Sequence, residues 1–379
     1  MEEDGGSLLW LGDHNEASTV VRFLHGGGYI APLLKGHLNW CRDVFLAAGA
    51  ETGTKVAVAV LEYTLCPEAR FPTQLRQAIG AVNTLLSSGF PPEKILLGGD
   101  SAGGISAAQL LCQIARPNAL LPPIQTSRPL QAAFMVSPWL SRHTNDYSYQ
   151  FNERIEILSS HTVKKSVAYL MGDNHNSCSM CDLGKLAFPI DSGTACFQGL
   201  DTAVRHLYIT AGEQEVMKDQ IVAFTEGVIK FNPKINVEFI LQKEQAHYFI
   251  LIEGQQGVPG ICTEGMKAWN AKLSDPTDPT LSLQGVGWMT QKLIRAATIT
   301  LQITQYSLPA EVFHGAEADE NVVHINIEQT LTKNLKGTTE KRCLTNEWHE
   351  HSDWLFGKVR GKAKRASYEE LGGDDLKAG

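Results

Sequence analysis

Ser101 lies in Gly99-Asp100-Ser101-Ala102-Gly103, between the apolar run Ile95-Leu96-Leu97 and a helix-compatible stretch from Ile105 to Ile114. That is the sequence form of a nucleophile elbow, a tight strand-to-helix turn that lifts a serine hydroxyl to the top of a sheet. Gly99 and Gly103 leave room for the cramped backbone and for close strand–helix contact. Alone, the pentapeptide reads equally well as a plain turn. Its partner lies upstream, where His25-Gly26-Gly27-Gly28-Tyr29 follows the strand-like Val20 to Leu24. Three consecutive glycines are costly in chain entropy, so the bare backbone needs a use. The amide N–H groups of Gly27 and Gly28, joined by that of Ala102, form an oxyanion hole for a carbonyl oxygen that turns negative during attack. A flexible loop is the bland reading of the glycines; the two motifs in this order favour the chemical one.

A serine nucleophile needs a base, and the base needs an orienting acid. With the serine on such a turn, the acid and then the histidine are expected further along the chain. His247, in Glu244-Gln245-Ala246-His247, follows a strand-like run from Val237 to Leu241 and is the expected base. Behind the strand-like Leu207 to Thr210, the segment Ala211 to Asp219 offers three carboxylates. Glu215 ranks first as the acid, Asp219 second and Glu213 third. For each the bland reading is a solvated acid or a first-turn residue favoured by a helix dipole; Asp219 fits that description best.

The elements that must position these groups can be read from apolar spacing. Val56 to Tyr63 reads as a buried strand, Phe71 to Leu86 as an amphipathic helix, and Ala132 to Val136 as the strand after the elbow helix. Leu8 to Leu11 offers one more strand. Strands alternating with helices at this pace give a mostly parallel sheet covered on both faces. Ligands of such sheets bind beyond the carboxyl ends of the strands, where Ser101, the Glu213–Asp219 loop and His247 all fall. Residues 140 to 200 are less regular, with Asn145–Ile157, Met171–Cys181 and Phe188–Phe197 as pieces of a small insertion over the site. The Asp275-Pro276-Thr277-Asp278-Pro279 segment reads as a linker. Hence 1–274 is expected to be the catalytic domain and 275–379 an appendage of unknown structure, partly disordered. Within it, Trp288–Ile303 suggests a helix and Val322–Ile327 a strand.

Composition narrows the class. The 379 residues are 43% apolar and 20% charged, the balance of a globular protein. A net charge of −8, with no basic stripe, argues against nucleic acid as a partner. No apolar run is long enough to span a membrane. The start, Met1-Glu2-Glu3-Asp4, lacks the basic and apolar regions of a secretory signal, so a cytoplasmic location is expected. The eight cysteines are scattered. Cys178-Ser179-Met180-Cys181 is a lone C-x-x-C, and His349-Glu350-His351 places its histidines off one helical face, so no metal or cofactor is expected.

Together these residues resemble the hormone-sensitive-lipase-like branch of the α/β-hydrolases, more narrowly its fungal esterases similar to steryl acetyl hydrolases. The likeness rests on His25 to Tyr29, on Tyr63-Thr64-Leu65-Cys66-Pro67-Glu68, on Gly99 to Gly104 and on Ser137-Pro138-Trp139, and spans about 18 to 273. It implies an α/β-hydrolase fold and a metal-free serine carboxylesterase using Ser101, an acid and His247. The family's spacing puts the acid at Glu215, with Asp219 as a following aspartate; most relatives carry Asp where Glu215 stands. It implies a small acyl, acetyl-like ester of a hydrophobic alcohol as substrate, with secondary metabolism as a setting. Tyr29 and Trp139 become candidate substrate-binding residues, and Tyr147 and Tyr149 further liners. Only 24 residues precede His25, where relatives carry a cap or membrane segment and the first strands. The expectation is therefore an N-terminally shortened fold without that lid. Two rival readings share the motifs: a non-catalytic binding protein on the same fold, and acyl transfer to an alcohol other than water. Oligomeric state is not legible.

Overall fold

A computed structural model describes residues 6–172, 184–247 and 249–273, all within the compact unit Met1–Gln291. The lone C-x-x-C pair and everything expected of residues 275–379 lie outside the described residues.

Seven strands form one sheet: β1 (Ser7–Leu11), β2 (Thr19–Leu24), β3 (Val56–Glu62), β4 (Ile95–Asp100), β5 (Leu130–Val136), β6 (Val204–Gly212) and β7 (Asn236–Gln242), in the order β1-β3-β2-β4-β5-β6-β7. Only β1 runs antiparallel, pairing with β3; every other pair is parallel. Central strands are buried on both faces, yet their side chains still alternate. Val20, Leu24, Ala59 and Leu61 join the core on one side, while Val21, Phe23, Val58 and Val60 join that on the other.

Helices cover both faces, as the alternation of elements requires. On the first side lie α3 (Thr73–Ser87), α4 (Ala102–Ala115) and α8 (Lys218–Phe231). On the second lie α1 (Lys35–Cys41), which continues through a π-helical turn into α2 (Ala47–Thr52), together with α9 (Phe249–Gln256) and α10 (Ile261–Leu273). Between β5 and β6 sit α5 (Tyr147–Asn152), α6 (Ser160–Met171) and the short α7 (Gly184–Ala187). Cys41, Cys66, Cys112, Cys196 and Cys262 are buried free thiols.

Two glycine contacts fix how closely these layers approach. A Cβ on Gly99 or Gly103 would collide with the carbonyl of Leu24, at the end of the neighbouring β2. Bare backbone is what lets β4, β2 and the first turn of α4 meet at one point. On the other face, a Cβ on Gly36 in α1 would stand 2.7 Å from the Leu251 carbonyl of α9. Asn39 of α1 also donates to the Gly254 carbonyl at 2.9 Å. That contact sets the position of α9, and with it the loop from β7 that carries His247.

Forcing a methyl group into the first contact tests this packing. Gly103→Ala is expected to lower stability by about 1–3 kcal/mol, the range for overpacked cores, read as a lower midpoint in urea unfolding.

Candidate active site

Ser101 occupies the turn between β4 and α4 with φ +49° and ψ −112°. A side-chain-bearing residue rarely adopts this region, and the surrounding bonds hold it there. Its N–H donates to the Val136 carbonyl at 2.9 Å, and its carbonyl accepts the Trp139 N–H at 3.0 Å. The hydroxyl meets Nε2 of His247 at 2.9 Å, although the two residues lie far apart in the chain.

Beyond Ser101, His247 is held by Glu215, from the loop after β6. Its Nδ1 stands 3.6 Å from Oε2 of Glu215. With the carboxylate on that side, the proton resides on Nδ1 and Nε2 accepts from the serine. Oε1 of Glu215 is fixed in turn by the Gly212 N–H at 2.7 Å and by the Ser137 hydroxyl. Glu215 and His247 are both fully buried. Burial alone would push the imidazole towards neutrality, but Glu215, then Glu156 and Asp100, outweigh it and raise its pKa above the usual value.

The glycine loop approaches from β2. Gly27 and Gly28 have φ of +105° and +62°, conformations glycine adopts freely. Among the described residues their N–H groups donate to no backbone carbonyl. Ala102 opens α4, where the first-turn N–H groups have no intrahelical partner. Asp100, in the residue before the nucleophile, joins the loop to the elbow: its Oδ1 accepts the Gly26 N–H at 2.8 Å. A Cβ on Gly26 would collide with this carboxylate. Oδ2 of Asp100 faces Nε2 of buried His37 at 3.5 Å, while the His37 Nδ1 accepts the Leu34 N–H at 3.1 Å. That bond places the proton on Nε2, aimed at Asp100. Burial would raise the Asp100 carboxyl; His37, His25 and the Gly26 N–H outweigh it and leave the pKa lowered. His25 itself stacks on Tyr63 at 4.2 Å, and burial pushes its pKa down to about 4. It is a neutral support for the loop.

The expected residues fall out as follows. Ser101, Glu215 and His247 come together, and Gly27, Gly28 and Ala102 belong to the two loops beside them. Asp219 sits in the first turn of α8, where its Oδ2 accepts the Ser148 N–H at 2.7 Å. Glu213 is exposed and caps the Glu244 N–H at 3.3 Å. Tyr29 and Trp139 lie in the core beside the site, each about 2% exposed. The Tyr29 hydroxyl pairs with Ser106 at 2.7 Å, and the Trp139 indole Nε1–H donates to the Ser141 carbonyl at 2.7 Å. Tyr149 is buried as well, whereas Tyr147 is exposed and stacks on Phe151. The lid expected to be missing has a counterpart: the segment from α5 to α6 lies over the triad and the glycine loop. Asn152 donates to the Glu215 carbonyl at 2.8 Å, Glu156 accepts the His247 N–H at 2.9 Å, and Ser166 Oγ lies 3.0 Å from where a Gly28 Cβ would stand.

Sequence reading gave no role to Ser137, His37, Asn152 or Glu156. Ser137 had two usable signals, its position directly after a predicted strand and its place in Ser137-Pro138-Trp139; its φ of +48° repeats the kink of Ser101 one strand over.

A model of the α/β-hydrolase fold matches residues 21–251. The chain belongs to the α/β-hydrolase fold family. It is similar to an acetyl-hydrolase of Streptomyces hygroscopicus, 27% identical over 231 residues that cover 60% of this chain and 68% of that protein. An ethyl acetate hydrolase of Pseudomonas putida is 32% identical over 111 residues, 28% of this chain and 33% of its own length. Among solved structures, an esterase of the bacterial hormone-sensitive lipase family superposes with a TM-score of 0.55 at 22% identity, covering 75% of this chain and 83% of its own. Carboxyl esterase 2 of the mycorrhizal fungus Tuber melanosporum gives 0.57 at 18%, covering 72% and 85%. The class so defined is that of the carboxylic ester hydrolases. Among the described residues no helix is long and apolar enough to cross a membrane.

The base works only when its imidazole is neutral, so a raised pKa makes activity fall as pH drops through that raised value. Glu215→Gln removes the main charge that raises it. The acidic limb of the pH–kcat/KM profile is expected to move to lower pH, together with a loss of kcat of about 10³- to 10⁴-fold.

Proposed function

We propose that the protein is a serine carboxylesterase that cleaves a small acyl ester, acetyl or similar, of a hydrophobic alcohol. The observation that carries this reading is the 2.9 Å contact between Ser101 Oγ and His247 Nε2, with a buried carboxylate on the far side of the ring. His247 takes the serine proton as Oγ attacks the ester carbonyl. The imidazolium is stabilised by Glu215. Negative charge gathers on the carbonyl oxygen, where the amides of Gly27, Gly28 and Ala102 receive it, each worth about 3 kcal/mol of barrier. Collapse of the tetrahedral intermediate expels the alcohol, which takes the proton from the imidazolium. Water then enters, gives its proton to His247, attacks the acyl-serine, and the carboxylic acid leaves with Ser101 restored.

Two features favour a short acyl group and an apolar alcohol. Ser166 of α6 lies close against Gly28, which in this reading narrows the space beside the glycine loop. Tyr147, Phe151, Ile155 and Ile157 give the overlying segment an exposed apolar surface. The names of the relatives, an acetyl-hydrolase and an ethyl acetate hydrolase, agree with the acyl assignment. A hydrophobic alcohol also suits a role in secondary metabolism.

A fluorophosphonate probe is expected to label the protein but not Ser101→Ala, and that substitution is expected to reduce hydrolysis of p-nitrophenyl acetate by about a millionfold. Absence of labelling in the folded protein would instead favour the binding-protein reading. Among p-nitrophenyl esters, kcat/KM is expected to fall as the acyl chain lengthens beyond acetyl and butyryl. Glu215→Ala should impair turnover far more than Asp219→Ala; the reverse ranking would move the acid to Asp219.

A further inference from the structure

The segment from α5 to α6 does more than cover the site. It reaches the three catalytic loops by separate contacts, and two of them grip main-chain atoms. Asn152, at the end of α5, donates to the carbonyls of Glu215 at 2.8 Å and Glu213 at 3.3 Å. Ser166, in α6, lies against Gly28. Between them, both carboxylate oxygens of Glu156 accept the main-chain N–H of His247, at 2.9 and 3.2 Å. The loop before His247 is otherwise tied to the acid loop: Gln214 donates to the Gln245 carbonyl at 2.9 Å, Glu213 to the Gln242 carbonyl at 2.8 Å. Glu156 thus grips the histidine's own backbone N–H.

We propose that Glu156 is a positioning residue for His247. Its carboxylate anchors the histidine's N–H from above, so the imidazole reaches Ser101 only when the 147–171 segment is seated on the site. The inference rests on the triad reading given under Proposed function. It assigns to the cover a part in catalysis itself: substrate entry that lifts this segment also releases the base, and reseating restores it.

The electrostatics carry a distinguishing signature. Glu156 acts on His247 and is itself raised by Glu215; on its own segment it and Glu153 both act on Tyr149, and Asp100 also acts on His247. A second carboxylate near the ring favours the imidazolium. Burial raises the Glu156 carboxyl, so this support is lost sooner on acidification than an ordinary carboxylate's would be.

Three variants test the assignment in the full chain. Glu156→Ala is expected to lower kcat for p-nitrophenyl acetate by about 10- to 100-fold, the scale of a displaced catalytic group, with KM changed by less than about threefold. Glu156→Gln keeps an acceptor for the His247 N–H but not the charge. It is expected to retain most of kcat while its acidic limb in kcat/KM moves to lower pH. Glu156→Asp, one methylene shorter, is expected to fall between Ala and the unsubstituted enzyme. A Glu156 that acted on His247 through its charge alone would move the acidic limb in Glu156→Gln but leave the kcat of Glu156→Ala unchanged. If Glu156→Ala does not fold, the kcat of Glu156→Asp decides. An unsubstituted protein that fails to react with fluorophosphonate sinks the triad reading. A reactive one whose Ala and Gln variants keep both kcat and acidic limb leaves the triad standing and overturns the role of Glu156.

Discussion

The hydrogen bond from the Gly26 N–H to Asp100 joins the glycine loop and the nucleophile turn into one rigid body. Strand pairing brings them near, with Leu24 opposite Gly99 across β2 and β4. Pairing alone does not orient the amides after Gly26. The carboxylate does, and it must be ionised and unobstructed to do so. His37 supplies the neighbouring N–H that helps keep it charged, and Gly26 supplies the clearance. An oxyanion site is effective when its dipoles are fixed before charge develops. Here a buried acid holds the Gly26 amide, which on the proposed reading fixes the loop in advance.

The second carboxylate–imidazole pair, Glu215 with His247, follows a similar logic two strands further along. Each acid has one oxygen occupied by main-chain N–H and the other turned to a histidine ring. Each histidine is buried. The difference lies at the far nitrogen of the ring. In His37 it accepts a backbone N–H and is spent; in His247 it meets the Ser101 hydroxyl and is available for proton transfer. One arrangement of groups therefore serves structure in one place and chemistry in the other, according to what its outer nitrogen touches.

Much of this was legible in the residues. Strands β2 to β7 announce themselves because buried parallel strands are continuous apolar runs, and the order serine, acid, histidine follows from the elbow. Element ends were less legible. Helix α4 begins at Ala102 rather than Ile105 because its first turn is built of Gly103 and Gly104. These are poor helix formers, retained for clearance from Leu24 and Pro138. The choice of Glu215 over Asp219 and Glu213 rested on family spacing; burial separates them physically, and burial is a property of the folded chain. Asn152 and Glu156 fall inside the 145–157 piece expected over the site, but their individual roles left no signal. Their partners are backbone atoms, which every residue carries, so no pairing of residue types betrays the contact.

That same feature bears on how such a protein can drift over time. Side chains that hold a neighbour by its peptide groups are indifferent to what that neighbour's side chains are. A residue such as Glu213 can be exchanged without loosening the hold, whereas loss of the donor at position 152 or of the acceptor at position 156 removes it. The loops carrying the chemistry are thus free to diverge, and the inherited constraint passes to the segment lying over them.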